Sequence, residues 1–142
     1  MKIIILQHIA CETPGYIKDL MLKDNVDIFT IQLDEGEKIP KNLKIFDGML
    51  CMGGPMDTWM EKDYPWLIDE KKRIKEFVVD LKKPYLGFCL GCQLLGEAVG
   101  GSVVKSKSPE IGMLNINFSE NKKSDLLFNE FPSQIKSLQW HS

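Results

Sequence analysis

The chain has 142 residues, 44% hydrophobic and 27% charged, the composition of one globular domain with one core. Eighteen basic against twenty acidic side chains leave a net charge of -2, too balanced for a nucleic-acid surface. The basic runs Lys71-Lys72-Arg73, Lys82-Lys83 and Lys122-Lys123 are short and read as solvated helix faces and turns.

In chain order, "KIIILQ" (2–7) is a continuous apolar run, the mark of a strand covered on both faces. The same N-terminal stretch has one lysine and a short apolar run, whereas a signal peptide needs a longer apolar region and a small-residue cleavage site. "TPGYIKDLMLKDN" (13–25), with a proline near its start and apolar residues at Ile17, Leu20 and Met21, reads as a helix, and "VDIFTIQL" (26–33) as a second strand. "DEGEKIPKN" (34–42) is turn chemistry, and "FDGMLCM" (46–52) is a third strand ended by Gly53-Gly54-Pro55. The strongest helical pattern spans 65–82, with Leu67, Ile68, Ile74, Phe77, Val78 and Leu81 as its apolar stripe and Pro84 as its stop. "YLGF" (85–88) is a short buried strand, "GCQLLGEAVGG" (91–101) a helix closed by Gly100-Gly101, and "SVVK" (102–105) a further short strand. Beyond it, "GMLNINF" (112–118) and "IKSLQW" (135–140) read as strands. "SDLLFNEF" (124–131) reads as a helix capped by Ser124.

Strands alternating with helices predict an α/β fold, a mostly parallel sheet with helices on both faces. No stretch reaches the roughly 18 apolar residues of a membrane span, so no membrane partner is expected. Four cysteines, Cys11, Cys51, Cys89 and Cys92, without secretion signals point to free thiols in a reducing, cytoplasmic setting.

The chemistry concentrates in "GFCLG" (87–91). A cysteine between glycines two positions either side, after a buried strand and before a helix, is the pattern of a nucleophile on a tight turn. Such a turn holds its central residue in an unfavourable backbone conformation and leaves no room for side chains at the flanking positions. The helix that follows aims free N–H groups at the sulfur, which favours thiolate. A second loop, "CMGGPMD" (51–57), also follows a buried strand and exposes backbone N–H groups. That of Gly54, with that of Leu90, is the candidate oxyanion hole.

Taken together, "GGPMD" (53–57), "YPWLIDEKKRIKE" (64–76), "KPYLGFCLGCQLLGEAVGG" (83–101) and "EIGM" (110–113) resemble the triad-type class I glutamine amidotransferase domains. The resemblance is to their branch related to the glutaminase part of GMP synthase. It runs from "LQH" (6–8) to "QWHS" (139–142). It implies a flavodoxin-like three-layer sandwich and hydrolysis of the glutamine side-chain amide through a thioester on Cys89, with no cofactor. It implies Gly53 and Gln93 as substrate-binding residues, and ammonia passed on to a synthetase domain or subunit.

A cysteine hydrolase also needs a histidine base with an orienting group. The family's late "Q-F-H-P-E"-like segment has no match here. His141 matches instead an earlier tryptophan-histidine pair that is not the base, and His8 follows the first strand. His141 and His8 are therefore weak candidate bases. The chain reads as one domain over 1–142 that is incomplete at its C-terminus, with the last strands of the family fold missing. A homo-oligomer covering the uncovered edge is expected. Three rival readings follow from the same residues: a redox pair at Cys89-Leu90-Gly91-Cys92, a non-catalytic binding or vestigial subunit, and a metal site. For the last, one close cysteine pair is too few ligands, Cys11 and Cys51 being isolated, and no metal is expected.

Overall fold

The computed structural model describes residues 1–141, in two compact units, Met1–Val103 and Val104–Ser142. In the first unit the apolar runs become a four-stranded parallel sheet of β1 (Lys2–Gln7), β2 (Asp27–Gln32), β3 (Gly48–Cys51) and β4 (Tyr85–Gly87). Its order is β2-β1-β3-β4, the arrangement of doubly wound sheets with the first strand inside. Side chains alternate between the faces. Ile4, Leu6, Met49 and Cys51 join one buried cluster with Leu67, Ile74 and Phe77 of α2 (Trp66–Lys75) and its extension, and with Leu90, Leu94 and Ala98 of α3 (Leu90–Ala98). Ile5, Leu50 and Met52 join the other, against Ile17 and Met21 of α1 (Tyr16–Lys23). The sheet is therefore covered on both faces, as the unbroken apolar runs of β1 and β3 require.

The register places the functional loops. Leu6 lies beside Cys51, and Cys51 beside Gly87. The segments leaving the carboxyl ends of β1, β3 and β4 are thus neighbours: His8, Gly53-Gly54 and Cys89. Ligands of open α/β sheets gather at this edge.

The helix over 65–82 forms as α2 followed by one π turn, Glu76–Asp80. Lys82, at φ 53, breaks it before Pro84. Its inward stripe is Leu67, Glu70, Ile74 and Phe77, whereas Ile68, placed inward by the sequence pattern, is 43% exposed. The strand expected at 102–105 does not form. Those residues are irregular, and Val104 is 76% exposed; with no strand paired to them among the described residues, local β-propensity there is not realised.

In the second unit β5 (Glu110–Asn117) and β6 (Gln134–His141) pair antiparallel, from Glu110 opposite His141 to Asn117 opposite Gln134. Phe118, Phe128 and Phe131 pack edge-on and tilted, with ring centroids 5.5–5.7 Å apart. The helix expected over 124–131 is replaced by a 3₁₀ segment, Glu120–Ser124, followed by turns. Ser124 ends that segment, and Asp125 Oδ1 accepts the N–H groups of Leu127 and Phe128 instead. The carboxylate outcompetes the hydroxyl as the local acceptor. Among the described residues no helix is long and apolar enough to cross a membrane.

Candidate active site

Cys89 stands at the junction of β4 and α3 with φ 49 and ψ -108, a left-handed conformation that a residue with a β-carbon rarely adopts. Both flanking glycines are sterically required. A β-carbon on Gly87 would lie 2.5 Å from the carbonyl carbon of Gly91 and 2.6 Å from the nitrogen of Cys92. One on Gly91 would lie 2.8 Å from the carbonyl carbon of Cys51 and closer still to its oxygen. The backbone is locked from both sides. The Phe88 N–H donates to Cys51 O at 2.9 Å, the Gly91 N–H to Met52 O at 3.1 Å, and the Tyr85 hydroxyl to Gly91 O at 2.7 Å. Burial, then neighbouring Cys51, pushes the Tyr85 hydroxyl well up, so it stays a donor.

The residue is exposed, yet the pKa of its thiol is raised. Partial burial of the sulfur raises its pKa most; the Leu90 N–H, hydrogen-bonded to the sulfur, opposes this, and Glu12 and Cys92 raise it further. The net shift is upward. Against the expectation that the helix end favours thiolate, the single Leu90 N–H does not outweigh desolvation and the nearby carboxylate.

Gly53 and Gly54 follow β3 beside this turn. A β-carbon on Gly53 would collide with the Glu12 carboxylate and lie 3.4 Å from Cys89 Cβ. One on Gly54 would lie 3.0 Å from His8 Cβ and 3.1 Å from Leu90 Cδ2. Both glycines, Glu12 and Cys89 thus converge. Leu90 is buried at the first position of α3, and Gln93 lies one turn on, partly buried.

His8 is fully buried, its ring stacked on Trp66 at 5.4 Å and 16°. Nδ1 donates to Gly53 O at 2.8 Å, and Nε2 meets Glu70 Oε1 at 2.8 Å. With both nitrogens engaged, the ring has none free to take a proton from a thiol. Burial alone lowers its pKa, but the Glu70 hydrogen bond and charge, the Gly53 carbonyl and Glu12 outweigh it, and the net shift is upward. The Cys51 thiol donates to Glu70 Oε1 at 3.3 Å and is pushed well up by burial, then by Glu70. Ligand atoms of His8, Cys51 and Glu70 lie within 4.8 Å of one another. Cys51, expected to be isolated, is thus clustered, but three donors already bonded to one another fall short of the four of a closed zinc site. His141 belongs to the second unit, where Nε2 is 3.2 Å from Glu110 Oε2 and 3.1 Å from Gln139 Oε1.

Glu12 and Glu70 are not among the residues the sequence pattern singles out. Glu12 follows the carboxyl end of β1, and Glu70 falls on the helical stripe 67–70–74–77; either position was the available signal. Trp59, in the loop after Pro55, is 47% exposed and does not pack it. Thr58 and Lys71 hold that loop instead. The Thr58 hydroxyl donates to Glu97 Oε1 at 2.8 Å, and Lys71 bridges Thr58 O, Glu97 and Glu61 at 2.8–2.9 Å.

The family model described as glutamine amidotransferase class-I matches residues 16–142. The chain is 30% identical over 144 residues to the glutamine amidotransferase-like protein YfeJ of Salmonella typhimurium, covering all of this chain and 60% of that protein. It is 30% identical over 106 residues to a glutamine-hydrolyzing GMP synthase subunit of Sulfolobus acidocaldarius, covering 75% of this chain and 52% of that one. Among solved structures, a glutamine amidotransferase of Thermotoga maritima superposes with a TM-score of 0.90 at 29% identity, over 100% of this chain and 60% of that one. The chain thus spans about 60% or less of the length of these relatives.

Proposed function

The chain belongs to the class-I glutamine amidotransferases, and from that premise we propose that it presents Cys89 to the side-chain amide of glutamine. The sulfur attacks the carboxamide carbon, and a C–S bond forms as the carbonyl π electrons move onto oxygen. The N–H groups of Gly54 and Leu90 receive that negative charge. Collapse breaks the C–N bond. The departing nitrogen takes up a proton and leaves as ammonia, and water then cleaves the thioester to glutamate and free thiol. Gly53 and Gln93 contact the substrate, and a synthetase domain or subunit consumes the ammonia.

The observation that carries this reading is the left-handed backbone of Cys89 between two glycines that admit no β-carbon. Strain of this kind costs about 1–3 kcal/mol and persists where a function uses it. Because the thiol's pKa is raised, its proton needs an acceptor, and His8 has no free nitrogen to be one. The test is ammonia release from glutamine by the full chain, with Cys89→Ala as control. Release abolished by the substitution supports the reading; release unchanged by it ends it.

The same raised thiol and engaged histidine favour one second reading, a glutamine-binding protein without turnover. Alkylation of Cys89 by a chloroketone analogue of glutamine, without ammonia release, selects that reading.

A further inference from the structure

The Gly53–Gly54 peptide carries the N–H on which the proposed oxyanion hole depends, and two glycines in a row give it little of their own to fix its orientation. A peptide plane flanked by residues without β-carbons flips readily. Among the described residues, the Gly54 N–H has no acceptor and Gly53 O has one donor, Nδ1 of His8 at 2.8 Å.

In a trans peptide the C=O and the next N–H point in opposite directions, and among the described residues no peptide is cis. Anchoring Gly53 O inward on the buried ring therefore turns the Gly54 N–H away from the core. The ring itself is fixed by the Trp66 stack on its face and by Glu70 Oε1 on Nε2. A carbonyl only accepts, so Nδ1 carries a proton; a carboxylate at Nε2 enforces that arrangement, because it stabilises a ring that donates from both nitrogens. Glu70 is fully buried at 0% exposure, and its second oxygen has no partner among the described residues. Placing a carboxylate there is costly, and a purely structural role is served as well by apolar side chains.

We infer that His8, braced by Glu70, is a positioning residue that sets the orientation of the Gly53–Gly54 peptide and so aims the Gly54 N–H for use. This deepens the reading of the site given above and rests on it for its catalytic meaning, though not for its geometry.

The experiment compares two double variants of the full chain. His8→Asn/Glu70→Leu keeps an amide donor where Nδ1 stands, and His8→Leu/Glu70→Leu removes it with nearly the same volume. Two properties are read: the Gly54 amide resonance in ¹H–¹⁵N spectra, and the rate of Cys89 labelling by the chloroketone analogue of glutamine relative to iodoacetamide. The Leu/Leu variant is expected to shift or broaden the Gly54 resonance. It is also expected to lower the labelling ratio about 10²-fold, the cost of misplacing a group by about 1 Å. The Asn/Leu variant restores both. A Gly54 resonance unmoved between the two variants overturns the inference. If the chloroketone labels the unaltered protein no faster than iodoacetamide does, the glutamine reading fails, and the Gly54 resonance alone decides the inference. If neither variant folds, the imidazole spectrum of the unaltered protein decides: a slowly exchanging Nδ1 proton is required, and an unprotonated Nδ1 overturns the inference.

Discussion

Gly91 lies so close to the end of β3 that its α-carbon faces the Cys51 carbonyl with no room for a methyl group between them. The atoms in the way are backbone, which cannot swing aside. Gly91→Ala is therefore expected to destabilise the chain by about 1–3 kcal/mol, the range for forcing extra volume into a packed site. It should also abolish selective labelling of Cys89. Urea midpoints and labelling rates check both; a midpoint equal to that of the unaltered protein contradicts the packing described.

Cys89 itself holds a strained backbone angle that glycine adopts freely. Cys89→Gly is expected to raise stability by about 1 kcal/mol, the strain relieved less the extra chain entropy of glycine. Cys89→Ala keeps the strain and should leave stability nearly unchanged. Both remove the thiol and all ammonia release. The comparison of the two by thermal unfolding isolates the backbone contribution, since they differ only in the β-carbon.

The thiol's acidity gives a third prediction. The rate of Cys89 alkylation by iodoacetamide should rise with pH through an inflection above the ordinary 9.0 of a thiol, because burial and then Glu12 and Cys92 outweigh the Leu90 N–H. Glu12→Gln removes one of the raising influences, so the inflection moves down and the neutral-pH rate increases. A Glu12→Gln profile superimposable on the original would place the carboxylate out of reach of the sulfur.

The His8–Glu70 pair sets a pH dependence of stability. The folded pKa of His8 is raised above its ordinary 6.5. A raised basic group contributes stability that is fully present below about 6.5 and is lost as pH climbs through the folded value. Cys51 and Cys89, also raised, add the same sign only beyond their ordinary 9.0. Between about pH 6.5 and about 8.5 the decline therefore belongs to His8. Urea midpoints across that window should fall for the unaltered protein and stay level for His8→Asn/Glu70→Leu.

Much of this site can be read from residue order. The runs "KIIIL" and "GMLC" announce strands buried on both faces, and the glycine spacing around Cys89 announces a turn whose geometry forbids β-carbons. What stayed hidden depends on partners far along the chain. Glu70 looks like one more charge on a charged helix, and only His8, 62 residues away, explains its burial. "SVVK" has the β-branched residues of a strand, but among the described residues nothing pairs with it. The raised Cys89 pKa follows from how deeply the sulfur sits and how near Glu12 comes, neither of which a spacing pattern encodes.

Cys51 also gives the molecule an internal reporter of opening. Three of its four thiols face solvent and the fourth, on β3, is sealed at 0% exposure. A colorimetric thiol count on the folded chain should therefore stop at three, and the fourth equivalent should appear only as the central strands part. The slow phase of such a titration would time that parting without any added probe.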